Sequence, residues 1–327
     1  MHSSFPKRGV GAAFPERGVG AAMLTLFRAD GAVDAHAMAR LGRWLLANGC
    51  DFLLLFGTTG EGPSLSAAER IEALKVMTAE GLPPERIVVG TGCAALTDTA
   101  ALTTAVGEMR LAGALIVPPF FFRGATQAGL KTYLAEVLAR TREAATPVAL
   151  YHIPDVAGLG YDDETIAALL KEHPGRIRGI KDSTGDAAHA AGWAKAFPGL
   201  SVFAGDDHII RQLAAAGGAG TMTATAGLAP ALVAAVTNAA LKNPGAAPPQ
   251  EERLSKVWLE ALLAFPVTEA VKTLFAHVTG DPRWLRMRAP LTPLDRAAAD
   301  ACVARFKALD DGTIARALKG LPTVFSP

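Results

Sequence analysis

Lys181 closes the run Arg178-Gly179-Ile180-Lys181, a short strand-like segment that delivers an amine to the polar turn Asp182-Ser183-Thr184-Gly185-Asp186. A lysine at the end of a buried strand is partly desolvated. Desolvation disfavours the ammonium form and leaves a neutral amine able to attack a ketone, so the position suits a Schiff base. The competing reading is a solvated lysine that snorkels from a strand end. Tyr151 is one of three tyrosines; Tyr133 falls in a helical pattern and Tyr161 in a loop, so Tyr151 alone ends a strand. Its phenol, beside Lys181 on the next strand, could move protons to and from a substrate hydroxyl if its pKa is lowered; otherwise it is a core tyrosine with a satisfied hydroxyl.

Three further groups bear chemistry. The turn Gly57-Thr58-Thr59-Gly60, followed by Glu61, offers two hydroxyls and exposed backbone N–H groups, and its glycines permit the tight dihedrals that aim such donors at a carboxylate. An ordinary turn with Thr59 capping a helix is the alternative. Asp206, Asp207 and His208 could hydrogen-bond polyol groups, or cap the helix that follows them. His152 and Asp155 stand on either side of Pro154, where they could select substrate hydroxyls, whereas His2, His36, His173, His189 and His277 have no partner at a useful spacing and read as structural or solvated.

The elements that must position these groups follow from alternation. Short apolar runs recur at 19–25, 52–56, 87–90, 114–117, 148–151, 177–181, 201–204 and 220–223, separated by helical stretches near 34–48, 66–80, 97–111, 126–143, 162–171, 186–196 and 207–216. Strand-then-helix repetition calls for parallel strands with helical crossovers. Eight such units, with no glycine-rich dinucleotide loop after the first strand, predict an α/β fold: a closed (β/α)₈ barrel. Reacting groups in such barrels sit at the carboxyl ends of the strands, where the groups above all fall. Further helices near 229–241, 250–264 and 267–278, interrupted by a Pro- and Gly-rich loop at 243–250, predict a C-terminal helical extension. The expected organisation is a flexible N-terminal extension over 1–17, the barrel over 18–225 and the packed helical extension over 226–327.

Composition narrows the partners. Thirty-two Lys plus Arg against thirty-one Asp plus Glu give a net charge of +1 over 327 residues with no basic block, which points to a small neutral or anionic ligand and away from nucleic acid or an acidic membrane surface. Cys50, Cys93 and Cys302 form no CxxC pair and no His lies at metal-ligand spacing, so they read as reduced thiols in a cytoplasmic protein, with no metal site. The near-duplicates Phe5–Ala13 and Phe14–Ala22 differ only at Lys7 and Glu16, too few copies for a solenoid, and Pro15, Glu16 and Arg17 interrupt any secretory apolar core. The uncharged stretch 212–241 is Ala, Gly and Thr around Pro230, a composition for a buried strand and helix rather than a membrane span.

Taken in order and spacing, Gly57-Thr58-Thr59-Gly60-Glu61, Tyr151-His152-Ile153-Pro154, Gly179-Ile180-Lys181-Asp182-Ser183-Thr184-Gly185-Asp186 and Gly205-Asp206-Asp207 resemble the dihydrodipicolinate synthase and N-acetylneuraminate lyase family, over about residues 18–294. The resemblance implies a class I pyruvate-dependent lyase that needs no cofactor beyond the covalent imine, on a barrel with a C-terminal helical extension, as a homo-oligomer, dimer or tetramer. It implies Lys181 as the imine lysine, Tyr151 as the proton carrier, Thr58 and Thr59 as carboxylate holders with Thr59 also in the catalytic set, and Gly205, Asp207, His208 and Met222 as substrate-binding. Two positions depart. Lysine-pathway synthases carry an arginine five residues after the tyrosine, and here that position is Val156; many members carry a tyrosine after the fourth strand that reaches a neighbouring subunit, and here it is Phe121. The Tyr-x-Ile-Pro-x-x-x-Gly form and Gly60–Leu65 resemble the sialic acid lyases and 2-keto-3-deoxy-sugar-acid aldolases. The expected activity is therefore retro-aldol cleavage or condensation of a 2-keto-3-deoxy sugar acid with pyruvate, or dehydration through the same enamine. The alternatives are 4-hydroxy-tetrahydrodipicolinate synthase and a non-catalytic 2-oxo acid sensor.

Overall fold

The computed structural model describes residues 13–246 and 262–325. Eight parallel strands close on themselves: β1 (Gly18–Ala22), β2 (Phe52–Leu55), β3 (Ile87–Gly90), β4 (Gly113–Ile116), β5 (Val148–His152), β6 (Ile177–Asp182), β7 (Ser201–Ala204) and β8 (Gly220–Thr223), with β8 pairing back to β1. Helices Ala35–Ala47, Ala67–Ala79, Leu96–Glu108, Gln127–Arg140, Asp163–Glu172, Ala187–Ala196 and Ile210–Ala215 connect them, as the alternation predicts. The first run is strand only to Ala22, and the expected 207–216 helix opens with a 3₁₀ turn over Asp207–Ile209. The expected helix near 250–264 and the first of the two repeated segments lie almost wholly outside the described residues.

Strand residues are apolar on both faces because a parallel barrel covers both. The period of two sorts them. Phe52 and Leu54 of β2 join Val88, Leu115, Ala149, Tyr151, Phe203 and Met222 in the barrel interior, while Leu53 and Leu55 pack outward against the helices. Phe14 is a correction to the expected flexible segment 1–17. It is buried in the interior cluster, edge-on to Phe203 at 6.2 Å between centroids, and fills space left by Gly113 and Gly179, where a Cβ would come within 2.7 Å of its ring. One large ring closes the amino-terminal end of the barrel, since small residues on β4 and β6 leave a void there that only a neighbouring segment can fill.

After β8, helices Thr225–Leu228, Pro230–Lys242, Val267–Thr279, Arg296–Leu309 and Thr313–Lys319 follow. Trp284 stacks on Phe275 at 4.3 Å and meets Phe325 edge-on at 5.3 Å, and the Arg40 guanidinium, from the first barrel helix, donates to the Val324 carbonyl. No described helix is long and apolar enough to cross a membrane.

Candidate active site

Tyr151 and Lys181 are register partners on β5 and β6. Both side chains therefore point into the barrel from the same level, each only 5% exposed, and Lys181 Nζ lies 4.4 Å from the centre of the Tyr151 ring. Tyr151 Oη is 3.3 Å from Thr58 Oγ1, on the loop after β2. Amine, phenol and hydroxyl thus form a contiguous row at the carboxyl end of the barrel.

The loop that brings Thr58 there is tightly wound. Phe56 and Glu61 adopt left-handed backbones with φ of 56° and 51°, and the turn closes through Glu61 N–H to Thr58 O at 3.0 Å and Gly62 N–H to Gly57 O at 3.0 Å. Such conformations cost non-glycine residues about 1–3 kcal/mol each and persist where surroundings enforce them. Gly62 is obligatory, because a Cβ there would lie 2.0 Å from the Phe56 carbonyl oxygen. Glu61 supplies the enforcement from outside the cavity: its carboxylate forms a buried ion pair with Lys272 of helix Val267–Thr279 and accepts the Arg288 N–H at 3.3 Å, while Lys272 also donates to the Arg286 carbonyl at 2.7 Å. Sequence reasoning missed Lys272. Its partner lies 211 positions away, and no local pattern marks it.

The row opens into a cavity of about 390 Å³, lined at its inner end by Thr58, Thr59, Tyr151, Lys181, Gly205 and Met222. Lys181, Tyr151, Thr58, Thr59, Gly205 and Met222 therefore border one space, with Asp207 and His208 also in its lining. Gly205 is where the chain passes closest to the loop after β6: its N–H donates to the Asp182 carbonyl at 2.6 Å, and a Cβ would meet Ser183 Oγ at 1.9 Å. Asp207 neither caps a helix nor faces freely into the cavity. It is buried, Thr223 Oγ1 donates to its Oδ1 at 3.0 Å, and Thr225 donates to Oδ2. Burial raises its pKa to about 6 against the pull of those hydroxyls. His208 Nε2 is 3.2 Å from the Gly185 carbonyl oxygen. Burial also raises the Asp206 pKa, opposed by nearby His208 and Lys181. Ser183, Asp206 and Ile153, together with Leu262, Leu263 and Val267 beyond the barrel, also line the cavity; the last three lie on a segment whose position no barrel motif announces.

Strand alternation corrects the reading of His152. Tyr151 points inward, so His152 points outward into the helical layer, where it stacks on His189 at 5.0 Å and meets Trp193 edge-on at 4.7 Å. It does not border the cavity. His189, expected to be unpartnered, has Nδ1 2.7 Å from Asp182 Oδ2, and Asp182 also accepts from the Thr184 N–H at 2.9 Å and the Thr184 hydroxyl at 2.7 Å. Burial lowers the His152 pKa to about 4, with Asp182 opposing and His189 reinforcing. This cluster stands directly behind Lys181 and fixes the loop after β6. Asp155 and Val156 border the cavity, whereas Phe121 does not and is 75% exposed beside Phe122.

Residues 15–309 match the dihydrodipicolinate synthetase family. A DapA-like lyase of Chloroflexus aurantiacus is 36% identical over 89% of this chain and 96% of its own. A 4-hydroxy-tetrahydrodipicolinate synthase of Saccharophagus degradans is 31% identical over 84% of this chain and 92% of its own. Among solved structures, dihydrodipicolinate synthase from Agrobacterium tumefaciens superposes with a TM-score of 0.82 at 32% identity, over 89% of this chain and 99% of that one. A 2-keto-3-deoxygluconate aldolase variant from Sulfolobus solfataricus shares the fold, with a TM-score of 0.78 at 22% identity over 89% and 95%.

Proposed function

The chain belongs to the dihydrodipicolinate synthetase family, and from that premise we propose that it is a class I lyase in which Lys181 forms an imine with a 2-oxo acid such as pyruvate. The observation that carries this reading is the adjacency of Lys181, Tyr151 and the Thr58 hydroxyl at the carboxyl end of the barrel. The Lys181 amine adds to the ketone carbon and water leaves. The resulting iminium draws electrons from C3, so that either a C3 proton leaves or the C3–C4 bond breaks, the C4 hydroxyl giving its proton to Tyr151. The enamine is protonated at C3, and water releases the 2-oxo acid and regenerates the amine. The Thr58-Thr59 turn holds the carboxylate, and the Thr58 hydroxyl relays the proton from Tyr151. The covalent imine takes the place of a separate cofactor.

The expected sugar-acid partner rests on the resemblance, and Val156, which borders the cavity at the position of an aldehyde-binding arginine, speaks only against a partner bearing a second carboxylate. The polyol contacts assigned to Asp207 and His208 narrow, however, because both side chains already have protein partners. The synthase alternative rests on relatives bearing that name, and Val156 weighs against it. We also propose a cytoplasmic homo-oligomer, dimer or tetramer, since the paired exposed rings of Phe121 and Phe122 are surface that a subunit contact would cover. The deciding experiment is borohydride reduction with pyruvate followed by peptide mass mapping. The adduct is expected on Lys181 and lost in Lys181→Arg, whose guanidinium stays protonated. An adduct on another lysine refutes the assignment.

A further inference from the structure

Beyond the imine and carboxylate subsites, the cavity wall is mostly hydrocarbon. Ile153 and Val156 form it on the segment after β5, and Leu262, Leu263 and Val267 at the entry to helix Val267–Thr279. Val156 and Leu263 are 54% and 52% exposed, two of the four large exposed hydrophobic side chains among the described residues. Apolar atoms exposed inside a concave cavity are covered when a ligand with a matching surface binds there.

The polar groups around that wall exclude other ligands. Among the described residues lining the cavity, Lys181 is the sole lysine or arginine, and the imine consumes it, while Asp155, Asp206 and Asp207 bring three carboxylates. Among the described lining residues, a second anionic group on the acceptor would meet no further guanidinium or ammonium and would face those acids. A polyhydroxylated chain would need several free partners. Asp207 is taken by Thr223 and Thr225 and one nitrogen of His208 by the Gly185 carbonyl, so Asp155, Asp206, Ser183 and the second His208 nitrogen remain, set beside five hydrocarbon side chains.

We infer that the acceptor end of the cavity takes an uncharged aldehyde with an apolar body, aromatic or branched aliphatic, whose hydrocarbon lies against Ile153, Val156, Leu263 and Val267. The inference rests on the imine reading of Lys181. In the forward direction C3 of the enamine bonds to the aldehyde carbon, the carbonyl oxygen takes the proton held by Tyr151, and water hydrolyses the iminium to release a 4-hydroxy-2-oxo acid. Cleavage runs the same steps backwards.

The test measures kcat/KM of the full-length enzyme for pyruvate condensation with benzaldehyde, isobutyraldehyde, D-glyceraldehyde and succinic semialdehyde, alongside borohydride trapping of pyruvate. The apolar pair is expected to lead by about tenfold or more. Val156→Asn and Leu263→Asn should each lower the benzaldehyde-to-glyceraldehyde ratio by roughly tenfold, the low end of what pocket contacts of this size contribute to discrimination. The ratio is internal to each variant, so a loss of folded enzyme does not alter it. Preference for glyceraldehyde or the semialdehyde, a ratio unmoved in both variants, or trapping without condensation of either apolar aldehyde overturns the inference and leaves the imine intact. Absence of trapping overturns both.

Discussion

Replacing Lys272 with methionine isolates the contact that ties the Thr58-Thr59 turn to the C-terminal helices. Lys272 and Glu61 are 1% and 0% exposed at their side chains, and the ammonium also sits 4.9 Å from the centre of the Phe27 ring. Burial holds the Lys272 pKa below its ordinary value even with Glu61 beside it, so desolvation outweighs the attraction and the intact pair contributes little net stability. Breaking it is another matter. Lys272→Met leaves a carboxylate buried with the Arg288 N–H as its remaining donor, which costs about 3–5 kcal/mol. Glu61→Gln should cost a comparable amount by stranding the ammonium. The double variant removes both charges and should fall within about 2 kcal/mol of wild type, giving a coupling of at least about 4 kcal/mol, above the usual range for residues in direct contact because each single change strands a buried charge. Urea unfolding of the four proteins at neutral pH supplies the cycle. Because Glu61 anchors the turn through its N–H to Thr58 O, Lys272→Met should also raise KM for the 2-oxo acid more than it lowers kcat. Two single changes that each cost less than about 1 kcal/mol, or that simply add in the double, would refute the reasoning.

Tyr151→Phe should lower turnover by about 10²- to 10⁴-fold while imine trapping on Lys181 stays detectable, since the nucleophile is untouched; wild-type turnover would remove Tyr151 from its role. Condensation of pyruvate with aspartate semialdehyde should be very slow, because a buried carboxylate without a cation costs several kcal/mol; an efficient reaction, followed by coupled reduction of the product, would restore the synthase reading. Stability should show two opposed pH dependences. The unfolded His152 imidazole takes a proton near 6.5 and the folded one only near 4, so in that window the unfolded chain holds the extra proton and the difference between wild type and His152→Phe should grow with pH by about 1–3 kcal/mol. The folded Asp207 carboxyl keeps its proton to about 6 against 3.8 when unfolded, so the difference between wild type and Asp207→Asn should shrink with rising pH by about 1–3 kcal/mol. Denaturant titrations from pH 4 to 7 read both slopes, and slopes of the other sign reject the placement of these side chains.

Much of this arrangement is written in short-range pattern. Alternating apolar runs and Ala-rich helical stretches suffice for eight strand–helix units, and a chain with that repeat places the carboxyl ends of its strands on one side, so Thr58, Tyr151, Lys181 and Gly205 share a mouth once the barrel closes. Strand alternation puts His152 on the face opposite Tyr151, but local spacing could not say that it would stack on His189 and Trp193, nor that Asp182 and His189 would meet across the loop after β6. It could not announce Phe14 as the ring that closes the barrel floor, because the space it fills is made by Gly113 and Gly179, far along the chain. The same holds for Glu61 and Lys272, and for the leucines that turn the outer cavity apolar. Backbone periodicity is a property of consecutive residues and survives in the sequence. The burial of a charge, the partner that satisfies it and the wall a ligand meets are properties of space, settled only when distant segments pack and water is excluded between them.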